Sequence, residues 1–206
     1  LTLLCLGLPL AAAYTYFLTD TFAGGINGAH WQSNGTIAGN SSVGLHSTAA
    51  NGGSVIYKNP IVDPVSGADV AYELRAKLKI GASGGTFVMY AHASMDALSG
   101  PGAQGSFYAV EMTPTLSGGG CTMAANYYKR VGGVVTLLGA QTWACADGMT
   151  VRMTKRHGMF LLLTSLNEFG FIGDASLATG RPGFGARALP GGNGITEALL
   201  ANAEYV

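Results

Sequence analysis

Residues 70–80 read VAYELRAKLKI. Val70, Tyr72, Leu74, Ala76, Leu78 and Ile80 hold the even positions, and Glu73, Arg75, Lys77 and Lys79 hold odd ones. A period of two sends these sets to opposite faces of an extended strand, one packed and one wet. A helical period would mix the charges into the apolar side. Residues 149–156 (MTVRMTKR) repeat the pattern, with Met149, Val151 and Met153 alternating against Thr150, Arg152 and Thr154. Segments 86–94 and 106–113 are strand-like but carry few polar residues on either face. That suits central strands or strands lining a groove.

Working outward, further strands are predicted at 18–22, 30–37, 43–47, 54–57, 122–130, 134–142, 159–166, 181–186 and 198–206. Glycine pairs punctuate them, and Gly132-Gly133 between apolar runs is a hairpin signal. Residues 195–203 (ITEALLANA) also fit a short helix. Many short strands with turn punctuation predict an all-β fold, a two-sheet antiparallel β-sandwich of jelly-roll type. No internal repeat or domain boundary interrupts residues 14–206, which are expected to form one sandwich domain.

Charged residues make up 11% of the chain, against about 25% in an ordinary globular protein. Hydrophobic residues make up 48%, enough to fill a core and to exclude disorder. Net charge is zero, and the eleven Lys and Arg residues build no stripe for phosphate neutralisation. Nucleic acid is therefore not an expected partner. Residues 1–13 (LTLLCLGLPLAAA) are uncharged and end in three alanines. They read as the remnant of a signal peptide cleaved before Tyr14, which leaves no membrane span in the mature chain. Removing that leader removes Cys5 and leaves an even pair, Cys121 and Cys145. Oxidised, the pair would close a loop of about 25 residues and stabilise the fold by about 3–4 kcal/mol.

Three stretches resemble concanavalin A-like lectin/glucanase (LamG-like) domains of bacterial extracellular or cell-surface proteins. Asp20-Thr21-Phe22 leading to Trp31 looks like their opening strand, with Phe and Trp anchoring the sandwich edge. Segment 70–80 followed by 84–90 is similar to their paired long inner strands. Asp174, Gly180, Pro182, Gly183 and Gly185 are spaced like their late turn and strand. The resemblance implies a terminal strand at 198–206 returning beside the first, and a secreted or surface location. It also makes a Ca²⁺ site conceivable, with Asp174 as the weak candidate ligand.

Glycosidases of this fold aim two carboxylates into one groove, about 5–5.5 Å apart for retention and about 6.5–9.5 Å for inversion. Alternation would bring acids at i and i+2 together, but no such pair occurs among the eleven Asp and Glu residues. Glu111, inside the apolar run FYAVEM, is the weak catalytic candidate. Sugar binding needs aromatic platforms flanked by polar groups. Tyr90, His92, Tyr108, Asn126, Tyr128 and Arg130 are the candidate ligand-binding residues. Tyr90 and His92 are expected to share one strand face, as are Asn126, Tyr128 and Arg130. The expected function is a non-catalytic extracellular module for carbohydrate binding or surface adhesion within a larger protein. A glycoside hydrolase of the same fold and a structural spacer are the alternatives.

Overall fold

The computed structural model describes residues 15–59, 61, 71–156, 159–164 and 169–202. The expected leader at 1–13 and Val70 lie outside them, as do the acids Asp63, Asp69, Glu168 and Glu204. The first strands are β1 (Thr15–Asp20), β2 (Trp31–Gly35), β3 (Ala38–Asn40), β4 (Gly44–His46) and β5 (Gly53–Tyr57). Then come β6 (Tyr72–Lys79), β7 (Thr86–Ala93), β8 (Phe107–Ser117), β9 (Gly120–Val131) and β10 (Val134–Ala144). The chain continues through β11 (Thr150–Arg156), β12 (Met159–Thr164), β13 (Phe169–Gly173), β14 (Arg181–Arg187) and β15 (Gly194–Asn202). Strands β3 and β13 were not anticipated, and 195–203, which also fitted a helix, contributes to strand β15.

The strands form two antiparallel sheets. One runs β13-β12-β11-β6-β15-β4-β3, with β1 also on β15. The other runs β10-β9-β8-β7-β14-β5-β2. This is the two-layer β-sandwich that alternation predicts. Strand β15 lies beside β1, Asn202 opposite Thr15. Segments 70–80 and 84–90 are not paired, however: β6 belongs to the first sheet and β7 to the second. The short turn between them crosses the sandwich, so alternation correctly marked both as strands but said nothing of their neighbours.

The core lies between the layers. Leu74, Leu78, Val151 and Leu200 from one sheet meet Phe87, Met89, Val110, Met112 and Phe184 from the other. Each such side chain, fully buried, contributes about 1.5–3 kcal/mol. Glu73 departs from the wet-face expectation. It is buried, and its carboxylate accepts hydrogen bonds from Arg75 Nε and Thr154 Oγ1. Trp31 is core, its Nε1 donating to Asp20 at 2.8 Å.

Two hairpins extend the second sheet. Gly118-Gly119 and Gly132-Gly133 both take φ near +57° and +85°, the left-handed pair that a two-residue turn of type I′ requires. Pro114 sits in β8 past the last residue paired with β7, so its missing N–H breaks no ladder bond there. Cys121 and Cys145 form the expected disulfide, tying the start of β9 to the residue after β10.

Candidate functional site

The outer face of the seven-stranded sheet is divided in two by its own chain. Residues 94–106, which contain a 3₁₀ turn at Gly100–Gly102, fold back over β7, β14, β5 and β2. Beneath them a second apolar cluster forms from Ile56, Val88, Tyr90, Ala93, Ala97, Phe107 and Ala109. Polar contacts fasten the loop. Asn34 Nδ2 donates to the Met95 carbonyl at 2.8 Å, and Ser54 Oγ to the Ala97 carbonyl at 2.5 Å. Tyr90 Oη donates to Ser99 Oγ and accepts from Ser99 N, each at 3.0 Å. The guanidinium of Arg130 donates to the Ala103 carbonyl.

Strands β9 and β10, and β8 beyond Glu111, are left uncovered. Residues directly opposite in an antiparallel pair share a face. Glu111 opposes Asn126, Ala109 opposes Tyr128 and Phe107 opposes Arg130, while Val135 and Leu137 of β10 oppose Arg130 and Tyr128. At the foot of the loop lies a pocket of about 300 Å³. Phe107, Glu111, Tyr128 and Val135 line its sheet side, Ser99, Gly100 and Ala103 its loop side, and Arg187 its floor. Arg187 Nη2 donates to Glu111 Oε2 at 2.8 Å, with side chains 18% and 11% exposed, so the pocket's two charges cancel. Gly100, at φ +79°, is required here, because a methyl group in its place would collide with the Arg187 guanidinium. Burial raises the pKa of the Tyr128 phenol, and the nearby Glu111 charge adds to the effect while Arg187 opposes it.

Of the six predicted ligand residues, the structure gathers three, Asn126, Tyr128 and Arg130, and sets Glu111 beside them. The others go elsewhere. Tyr90 lies wholly under the loop, and burial pushes its phenol up to about 12 against the smaller opposing effect of Ser99. His92 does not share its face: it adopts φ +47°, which breaks the alternation. Its ring packs between Tyr72 and Tyr108, and its Nδ1 lies 2.6 Å from the Leu177 carbonyl oxygen. Tyr108 is buried toward the interior and donates its hydroxyl to Asp174 at 2.5 Å. None of these three offers a ring to solvent.

Asp174, the weak metal candidate, also accepts from Lys129 Nζ at 2.6 Å and from Ser176 N at 2.8 Å. Burial alone would raise the pKa of its carboxyl. The hydrogen bonds from Lys129, Ser176 and Tyr108 outweigh that and hold it well below the usual carboxylate range. An ammonium already occupies the place of a cation, and no cluster of three His, Cys, Asp or Glu side chains lies near it among the described residues. The donor set does not fit Ca²⁺, which wants six to eight oxygens.

Arg187, Val135 and the loop residues were not singled out from sequence. Arg187 lies one residue past the predicted strand 181–186, and nothing local marks residues 94–106 as a cover.

No protein-family model matches the chain, and no curated protein matches it. Solved structures do. A carbohydrate-binding module, CBM66 from Bacillus subtilis, superposes with a TM-score of 0.53 at 13% identity, covering 84% of this chain and 92% of that one. The fold is that of concanavalin A-like lectins and glucanases. Basic winged bean lectin with Tn-antigen gives 0.54 at 13% identity over 94% of this chain and 100% of the lectin. A legume lectin-like domain from Entamoeba histolytica gives 0.50 at 12% identity, over 84% and 87%. At such identities the concanavalin A-like likeness fixes architecture, and function must be argued from the site. Among the described residues no helix is long and apolar enough to cross a membrane.

Proposed function

We propose that this protein is a non-catalytic carbohydrate-binding module of a secreted or surface protein, taking sugar in the pocket between β8–β10 and the 94–106 loop. The observation that carries the reading is the pairing of Glu111. It is the pocket's sole carboxylate among the described residues, and it is already bound to Arg187. Glycoside hydrolysis needs a second carboxyl within about 10 Å, one acting as acid and the other as base or nucleophile. Tyr128 offers an aromatic surface for the CH face of a pyranose, with Asn126 beside it as donor and acceptor. The Cys121–Cys145 disulfide and the leader reading at 1–13 support an oxidising, extracellular setting. Solved carbohydrate-binding structures of this fold support the ligand class.

The test is a glycan array probed with the 206-residue chain beside Tyr128→Ala and Glu111→Gln variants. Wild type is expected to retain one class of glycan. Loss of stacking in Tyr128→Ala should weaken binding by about 1–2 kcal/mol, about five- to thirtyfold. Glu111→Gln should leave the bound glycan unhydrolysed, like wild type. An array silent for folded wild type would refute the reading. Released sugar that disappears in Glu111→Gln would favour the hydrolase instead.

A further inference from the structure

Two features stand out beyond the site, and a third lies in its wall. Arg75, Lys77, Lys79 and Arg152 form a basic patch on the outer side of the first sheet, but Glu73 and Glu197 sit among them. A hollow of about 560 Å³ beside the disulfide is lined by Gly118, Gly119 and Gly120 with Asp147, whose carboxylate already accepts from Ile80 N. The third feature, the loop wall of the candidate site, carries an inference, and it rests on the sugar-binding reading above.

We propose that the pocket recognises the terminal residue of a neutral glycan chain and excludes internal residues. A groove that takes the interior of a polysaccharide must be open at both ends, so that the chain can pass through. Here the uncovered strip spans only β9, β10 and the end of β8 beyond Glu111. A chain crossing from the β10 side meets Val135, then Tyr128, and then Ser99 and Gly100 of the loop. Behind that wall the sheet is already filled: Tyr90 and Val88 are fully buried beneath the loop, and Ser54 is bonded to it. The second side is closed where Arg130 holds the Ala103 carbonyl.

The wall is a packed part of the fold. It stands on its own apolar cluster and is tied to β2, β5, β7 and β9 through Asn34, Ser54, Tyr90 and Arg130. Opening it would leave the buried Tyr90 hydroxyl and the Ser54 hydroxyl without these partners, a cost the binding of one more sugar would have to overcome. The neutralised Glu111–Arg187 floor fixes the other half of the specificity. A uronic acid or sulfated sugar would bring a net charge to a lining whose own charges are matched, Arg130 lying outside that lining. A neutral terminal sugar brings only hydroxyls, which Asn126 and Glu111 Oε1 can partner.

Chain ends are tested by changing their number at constant sugar mass. The 206-residue chain is titrated calorimetrically with a neutral β-glucan, an α-glucan, a galactan and a mannan. Each is supplied intact and after partial acid hydrolysis to short oligosaccharides, with the oxidised, acidic form of each as a further arm. For the polysaccharide that binds, the saturating mass should fall in proportion to the ends created, about tenfold for tenfold more ends. Light scattering should find about one protein per end on the intact polymer. Many copies along each intact chain, with no gain on hydrolysis, would overturn the chain-end assignment while leaving sugar binding intact. Tighter binding of the acidic forms would overturn the neutral-glycan part. Silence on all four polymers, with the protein folded, would overturn the sugar-binding reading and this one with it.

Discussion

Replacing Cys121 and Cys145 together by Ala tests what the disulfide does for the fold. The bridge spans 24 residues. In the chain-entropy model a loop of that length removes about 12 cal/mol/K from the unfolded ensemble, or about 3.5 kcal/mol at 25 °C. The native side of the balance should hardly change, because the hairpin closes without the bridge. Cys145 N donates to the Cys121 carbonyl at 2.9 Å, and ladder pairing runs from Ala144–Thr122 to Val134–Val131. The double variant is therefore expected to fold with the same circular dichroism and to lose about 3–4 kcal/mol in urea unfolding. The thermal midpoint should fall by about 7–14 °C, at about 2–4 °C per kcal/mol for a chain of this size. Wild type in dithiothreitol should match it. A loss below about 1 kcal/mol, or a reduced wild type no less stable than the oxidised one, would refute the assignment of the stabilisation to loop closure.

Two further perturbations address the titrating groups. Asp174→Asn should lower stability at pH 7 by about 1.5 kcal/mol, since it weakens charge-assisted bonds on a partly exposed carboxylate. The folded pKa lies below the unfolded value near 3.9, so this contribution is complete above about pH 5 and fades as pH falls below about 4. Urea midpoints of wild type and variant should therefore converge in acid, and a constant gap from pH 3 to pH 7 would count against the argument. Tyr90 and Tyr127 are both held at about 12 by burial, Ser99 partly offsetting it for Tyr90. Unfolded tyrosine ionises near 10, so the fold should lose stability as pH rises above about 10 and not below. An absorbance titration should leave a protected set of tyrosines that ionise only with unfolding; all nine titrating together near pH 10 in folded protein would contradict it.

Legibility followed the physics of each signal. The strand character of β6 and β11 was plain because each packs one face, and Leu74, Leu78, Val151 and Met153 lie inside as their alternation requires. The disulfide was legible from parity, and the hairpin at Gly132-Gly133 from the positive φ only glycine adopts freely. Pairing partners were not, because alternation specifies a face and not a neighbour, as the separation of β6 from β7 shows. The site was half readable. Asn126, Tyr128 and Arg130 keep strict alternation on one strand and so arrive together. Tyr90 and His92 were lost to two non-local events, a loop returning over one and a left-handed backbone turning the other. Arg187 reaches Glu111 across 76 residues of sequence, a relation that no local pattern encodes.

Strand β10 closes its sheet with Val134, Val135 and Leu137 exposed and with no Lys, Arg, Asp or Glu among its eleven residues. Most proteins blunt such a margin with a charge or a proline, because unspent amide and carbonyl groups there can zip onto any extended chain. The flank is thus the molecule's weak point in concentrated solution and during refolding, when neighbouring chains are still open. A lysine in place of Thr136 would shield it for crystallisation or storage without touching the buried layer.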